Sequence, residues 1–113
     1  MITKPKNRYI LVESSVPLEG RGRTYDSAIL GGVAAEIGSL GFVKANPRIV
    51  RWIGDNRFII RSNRGTERDI VLALSFIKRI NGKDLGFYTI QTSGTIRKLG
   101  SVRRRPGSLA KVA

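Results

Sequence analysis

Cysteine and histidine are both missing from this 113-residue chain. Without cysteine there is no disulfide framework and no thiolate metal site, so the class of stapled secreted mini-proteins drops out. Without histidine the commonest general base is gone, along with Ser-His and Cys-His nucleophiles and every zinc site that needs imidazole. Acidic residues are scarce: 8 carboxylates stand against 21 lysines and arginines, a net charge of +13. No uninterrupted apolar run approaches the roughly 20 residues of a membrane span, and residues 1–8 lack the apolar core of a signal peptide. The expectation is a soluble, cytoplasmic protein with no cofactor or metal of its own.

What is present points to a folded domain. Hydrophobic residues make up 41% of the chain and charged residues 26%, a globular balance at a length that supports one core. The charge is lopsided. Residues 1–56 hold 8 basic and 5 acidic side chains, residues 57–113 hold 13 and 3, and no acid follows Asp84. Such an excess repels itself in a compact state, so it calls for an anionic partner, and nucleic acid fits best.

Residues 8–14 form a β-branched and aromatic run of strand length, closed by a turn-rich segment at 17–23. Ala28, Ile29, Val33, Ile37 and Leu40 then recur at helical spacing, with Thr24 or Asp26 as a cap and Gly41 as a stop. Pro47 opens a strand at 48–53, and Gly54-Asp55-Asn56 turns it into another at 57–62. Thr66 and Asp69 suggest a capping box for a helix carrying Ile70, Leu74 and Ile77 as far as Asn81-Gly82. A last strand follows at 86–92. The order βαββαβ predicts an α+β, ferredoxin-like domain over residues 7–100. Four antiparallel strands carry two helices on one face, flanked by an extension at 1–6 and a basic tail at 101–113.

Strict alternation assigns Val50, Trp52, Phe58 and Ile60 to the helix-covered core, with Val33, Ile37, Ile70, Leu74 and Ile77 from the helices. The opposite face then carries Ile49, Arg51 and Ile53 from one strand and Arg57, Ile59 and Arg61 from the next. The basic C-terminal segment reads as too polar to cover all these isoleucines. Ile49, Ile53 and Ile59 are therefore assigned to a protein interface. Aromatic residues for base stacking are missing from this face, so RNA would be held through phosphates and shape, with Arg57 and Arg61 among the contacts. In Ser93-Gly94-Thr95-Ile96-Arg97-Lys98-Leu99, Thr95 can cap a short helix that presents Arg97 and Lys98 to a phosphate. Arg103, Arg104 and Arg105 add a basic tail. The loop Gly20-Arg21-Gly22-Arg23 is a weaker anion site, lacking the spacing of known phosphate-binding motifs.

Three segments resemble a known family: Asn7-Arg8-Tyr9-Ile10-Leu11, Ala73-Leu74-Ser75-Phe76-Ile77 through Asn81-Gly82-Lys83, and above all Ser93 to Leu99. They look like archaeal ribonuclease P protein component 2, the Pop-five family, over residues 7 to 100. The resemblance implies a non-catalytic protein subunit of an RNA-based endonuclease that removes the 5′ leader of precursor tRNA, with magnesium held on the RNA. Its implied partners are ribonuclease P RNA, precursor tRNA and ribonuclease P protein component 3, in an assembly such as a heterotetramer. Relatives continue after this motif with a longer, partly apolar helix, whereas Gly100 and Pro106-Gly107 here make the last helix short or absent. Two rivals stand beside this reading. One is a ribosomal or other structural RNA-binding protein. The other is an acylphosphatase-like enzyme using Arg23 and Asn63.

Overall fold

The computed structural model describes residues 7–18, 22–96 and 99, with the side chains of residues 22–24 left out. Eight elements follow in order: β1 (Asn7–Ser14), α1 (Gly22–Ala45), β2 (Arg48–Ile53), β3 (Arg57–Asn63), α2 (Glu67–Phe76), β4 (Arg79–Ile80), β5 (Lys83–Asp84) and β6 (Phe87–Ser93). The main sheet has the order β2-β3-β1-β6 with antiparallel pairing throughout. With both helices packed on one face, this is the predicted ferredoxin-like α+β fold. The short pair β4-β5 is an addition that the periodicity did not reveal.

That addition comes from Asn81-Gly82. Both residues have positive φ, 49° and 82°, the backbone of the tight hairpin turn that this dipeptide favours. Read as a helix end, the same dipeptide stretched α2 too far. The helix stops at Phe76, where Ile77 turns extended and its N–H returns to the Leu74 carbonyl. The capping box also fails. Thr66 Oγ donates backward to the Asn63 carbonyl at 2.6 Å, and Glu67, rather than Asp69, reaches back to accept from the Gly65 N–H at 2.7 Å.

Helix α1 runs past Gly41 to Ala45, and Gly38 breaks its regularity at φ 80°, ψ 169°, a conformation that costs glycine little. Asn46, at φ 46°, donates its N–H to the Phe42 carbonyl, and Pro47 then ends the helix. Asp26 is not the cap expected of it. Its Oδ1 accepts the Trp52 indole N–H at 2.8 Å, tying α1 to β2. Tyr25–Ala45 has the length and composition of a membrane span, but Glu36 interrupts it and Gly38 kinks it, so no uninterrupted apolar run of that length is present. Glycine, alanine and serine interrupt its aliphatics, so no single run stands out in the sequence.

The main core lies between sheet and helices, where Ile10, Val12, Ile29, Val33, Phe58, Ile60 and Ile70 are completely buried. Phe58 packs at a tilt of 46° and 4.9 Å centroid distance on half-buried Trp52 and meets Phe87 edge-on at 5.7 Å. Val50 is not in it. A β-bulge between Ile49 and Arg51 changes the register, pairing Ile49 with Ile60 and Trp52 with Phe58. Ile49 therefore packs on the core while Val50 is exposed, the reverse of strict alternation.

Candidate nucleic-acid interface

The face of the sheet away from the helices divides into an apolar centre and a basic margin. At the centre Leu11 and Ile59 are buried beneath Leu99, with Tyr9, Ile90 and Ile96 packed around them. Ile59 is 0% exposed. The C-terminal segment thus does what it was judged too polar to do, because only two of its apolar side chains are needed. The assignment of the isoleucines to an accessible interface changes accordingly. Ile59 is sealed within the chain, Ile49 belongs to the opposite face, and Ile53 alone is exposed, at 37%.

The margin is set by the β2-β3 hairpin. Its turn is latched onto the end of β1: Asp55 and Asn56 carbonyls accept the Leu18 and Ser14 N–H groups, each at 2.7 Å. The bulge then brings Arg48 and Arg51 onto one face, although they are three positions apart. Arg48 lies directly opposite Arg61, Arg51 opposite Ile59, and Arg61 faces Tyr9 on its other side. Arg48 and Arg51 are exposed and Arg61 is half-buried. Among the described residues none of the three makes an ion pair. Like charges directly across neighbouring strands destabilise a sheet. Three such guanidinium groups on one edge are suited to several anionic oxygens of an extended polyanion.

Arg57 belongs elsewhere. Its Nε and Nη2 both lie 3.1 Å from Glu13 Oε1, a cross-strand pair on which the guanidinium is largely spent. Arg8 likewise lies 3.0 Å from Glu67 Oε2. Thr95 is exposed and directly precedes the helical residues Ile96 and Leu99, and its N–H donates to Ser93 Oγ at 3.1 Å. Arg97, Lys98, Arg103, Arg104 and Arg105 lie outside the described residues, as do Gly20 and Arg21. Of the predicted RNA contacts, then, Arg61 sits in the basic margin and Arg57 in an ion pair. Arg51 was placed on this face by alternation but not named as a contact, and Arg48 was missed. The hairpin turn pairs Ile53 with Arg57, which keeps Arg51 on the face where alternation put it. Arg48 joins only because of the bulge.

Asn63, the asparagine of the acylphosphatase-like alternative, gives its side-chain amide to the Lys44 carbonyl at 2.7 Å. It fastens the end of α1 to β3 instead of facing a ligand. Among the described residues no three His, Cys, Asp or Glu side chains gather where a metal could sit.

Residues 8–101 match the Rpp14/Pop5 family. "Ribonuclease P protein component 2" of Methanoculleus marisnigri is 30% identical over 110 residues, covering 92% of this chain and 68% of the relative. The protein of the same name from Thermococcus gammatolerans is 30% identical over 97 residues, covering 85% and 81%. That of Methanocorpusculum labreanum is 27% identical over 96 residues, and there the match spans 65% of the relative's length. A chain in the cryo-EM structure of yeast ribonuclease MRP shares the fold at a TM-score of 0.61 and 12% identity, over 99% of this chain and 92% of that one. With a family match across most of its length and relatives at 30% identity, the chain belongs to the Rpp14/Pop5 family.

Proposed function

We propose that this chain is a protein subunit of ribonuclease P, assisting a catalytic RNA in removing the 5′ leader of precursor tRNA without contributing catalytic groups itself. The observation that carries the reading is the set Arg48, Arg51 and Arg61, unpaired with carboxylates among the described residues and gathered by a bulge at one margin of the sheet. Membership of a family whose relatives are called ribonuclease P protein component 2 supports taking this polyanion to be ribonuclease P RNA. Phosphate contacts of this kind fix position and register on a folded RNA rather than read bases. Their role is electrostatic: they let RNA segments that repel each other come together, and so favour the folded RNA that holds the reactive phosphate. Magnesium ions held on the RNA would supply the hydrolytic chemistry in this reading, which gives this chain's residues a positioning role.

The partners in this reading are ribonuclease P RNA and precursor tRNA, together with ribonuclease P protein component 3, in a cytoplasmic assembly such as a heterotetramer. Of the three isoleucines first given to a protein contact, Ile53 alone remains available for it. Arg97, Lys98 and Arg103–Arg105, which lie outside the described residues, are proposed as further phosphate contacts on the grounds of charge.

Reconstitution tests the reading. Cognate ribonuclease P RNA mixed with the remaining protein components should cleave precursor tRNA faster, or at lower magnesium, when this chain is added. The chain should also co-purify with that RNA. Recovery with ribosomal RNA instead, and no effect on cleavage, would replace this reading with the structural RNA-binding alternative.

A further inference from the structure

The open face of the sheet has a second end, and its chemistry differs from that of the arginine margin. Where β2 turns into β3, one row of side chains crosses the four strands: Ile53 lies opposite Arg57, Arg57 opposite Glu13, and Glu13 opposite Tyr88 on β6. Glu13 stands two residues beyond Leu11, so the row shares the face of the Leu11-Ile59 seam. Phe87 is buried in the core between sheet and helices, which leaves its neighbour Tyr88 on the open side. Tyr88 is 58% exposed. Arginine and isoleucine leave β3 without a stacking aromatic, but β6, an edge strand, carries one.

The Tyr88 ring has a fixed support. A Cβ placed on Gly86 would come within 3.1 Å of the Tyr88 hydroxyl oxygen and 3.4 Å of its Cζ, so the ring lies back over Gly86 where a side chain would otherwise stand. Gly86 is itself pinned: its N–H donates to Ser15 Oγ at 2.9 Å, and its carbonyl accepts the Ser15 N–H at 2.8 Å. Beside the ring is Glu13, directly across the strand pair, with Cβ atoms about 5 Å apart in such a pair. Arg57 holds Glu13 through Oε1 alone, and Oε2 has no partner among the described residues. The charge of the row is therefore neutralised, while Glu13 keeps one oxygen free to accept. Such a surface offers phosphate no free cation. It suits a nucleobase stacked on the aromatic ring and giving an amino proton to the carboxylate. The arginine margin is close by, since Arg57 and Arg61 are four residues apart on β3, about 13 Å.

We propose that Tyr88 and Glu13 form a site for one unpaired RNA base, with Tyr88 as the stacking platform and Glu13 as acceptor for the amino group of cytosine, adenine or guanine. Uracil, with a carbonyl in place of the cytosine amino group, is disfavoured. Arg57 is a positioning residue that orients Glu13. The inference rests on the RNA reading above and adds the kind of segment this face takes: a single strand with its phosphates on Arg48, Arg51 and Arg61 and a base on Tyr88.

The test measures binding of the full chain to short oligocytidylate and oligouridylate, two pyrimidine strands that differ in the amino group. Tyr88→Ala should weaken oligocytidylate binding by about 5- to 150-fold. The slope of log affinity against log salt concentration should stay that of the parent, because no charge is removed. Tyr88→Phe, which keeps the ring, should bind within about 2-fold of the parent. The parent should prefer oligocytidylate by about 2- to 10-fold, the range for one hydrogen bond, and Glu13→Gln should erase that preference because an amide can serve either base. The ratio of the two affinities is the readout for Glu13→Gln, since it also releases Arg57. Tyr88 is exposed, and unchanged melting curves would show the variants folded. Parent-like affinity in folded Tyr88→Ala, a flattened salt slope in that variant, or equal affinity of the parent for both strands would each overturn the proposal. So would failure of both strands to bind at low salt. Replacing Arg48, Arg51 and Arg61 with alanine separates this failure from that of the RNA reading: if the triple variant flattens the slope while Tyr88→Ala changes nothing, the phosphate contacts stand and the base site falls.

Discussion

The two faces of the sheet are closed by different means. Against the helices, fifteen buried residues from every layer of the fold interlock around Phe58, whereas on the other face three buried side chains, Leu11, Ile59 and Leu99, do the sealing. The first face is a core in the ordinary sense, thick enough that its energy is spread over many contacts. The second is a thin apolar seam held down by Ile96 and Leu99, which follow β6. Around it the sheet edge is free to display arginine. Scaffold and ligand surface are thereby separated on opposite sides of strands only one residue thick. The bulge at Val50 permits this, turning Ile49 inward while Arg48 and Arg51 point outward together.

Removing the centre of each face should have the largest effect. Phe58→Ala leaves a cavity beside Trp52 and Phe87 and should cost about 3–5 kcal/mol. Ile59→Asp places a carboxylate where nothing is exposed, and should cost about as much, so the variant unfolds rather than remaining folded with a lost partner. Denaturant titrations of both variants decide this; a folded Ile59→Asp protein would show that Leu99 does not seal the seam. Leu99→Ala should come next, at about 2–3 kcal/mol, less than Phe58→Ala because a thin cluster collapses more easily onto the space. An unchanged melting temperature would mean that the open face is covered by something else.

A smaller effect belongs to the link between α1 and β2. Trp52→Phe keeps most of the packing on Phe58 but removes the donor to Asp26, and should cost about 1–2 kcal/mol. Asp26→Ala combined with Trp52→Phe should cost less than the sum of the two single changes, as a double-mutant cycle would reveal. Smallest is the Arg57-Glu13 pair. Arg57→Ala should change stability by no more than ~1 kcal/mol, with RNA affinity falling much less than for Arg61→Ala. Equal losses at the two arginines would return Arg57 to the RNA surface.

The outline of the fold was legible because its signals are local and agree with one another: β-branched runs, a Gly-Asp-Asn turn, helical spacing through Ile70 and Leu74. What was misread depends on pairing between distant segments. Alternation along β2 is a sound rule until a bulge adds a residue, and nothing in Arg48-Ile49-Val50-Arg51 marks the bulge. Asn81-Gly82 fits a helix end and a hairpin turn equally well, and only the chain beyond it decides between them. Asp26 has the chemistry of a cap, and its indole partner lies 26 positions away. At the interface the residue type was readable before the residue number. That arginine would serve phosphate followed from charge, but which arginines remain free depended on where Glu13 lands across the strand.

The central claim is that Arg48, Arg51 and Arg61 form a phosphate-binding edge, and the salt dependence of RNA affinity tests it most directly. Each phosphate contact contributes about 0.7–0.9 to the slope of log affinity against log salt concentration. Replacing all three arginines with alanine should flatten the slope for ribonuclease P RNA by about 2–2.7 and leave the melting temperature within a few degrees of the parent chain. A folded triple variant that binds the RNA with the parent's affinity and the parent's slope would contradict the account.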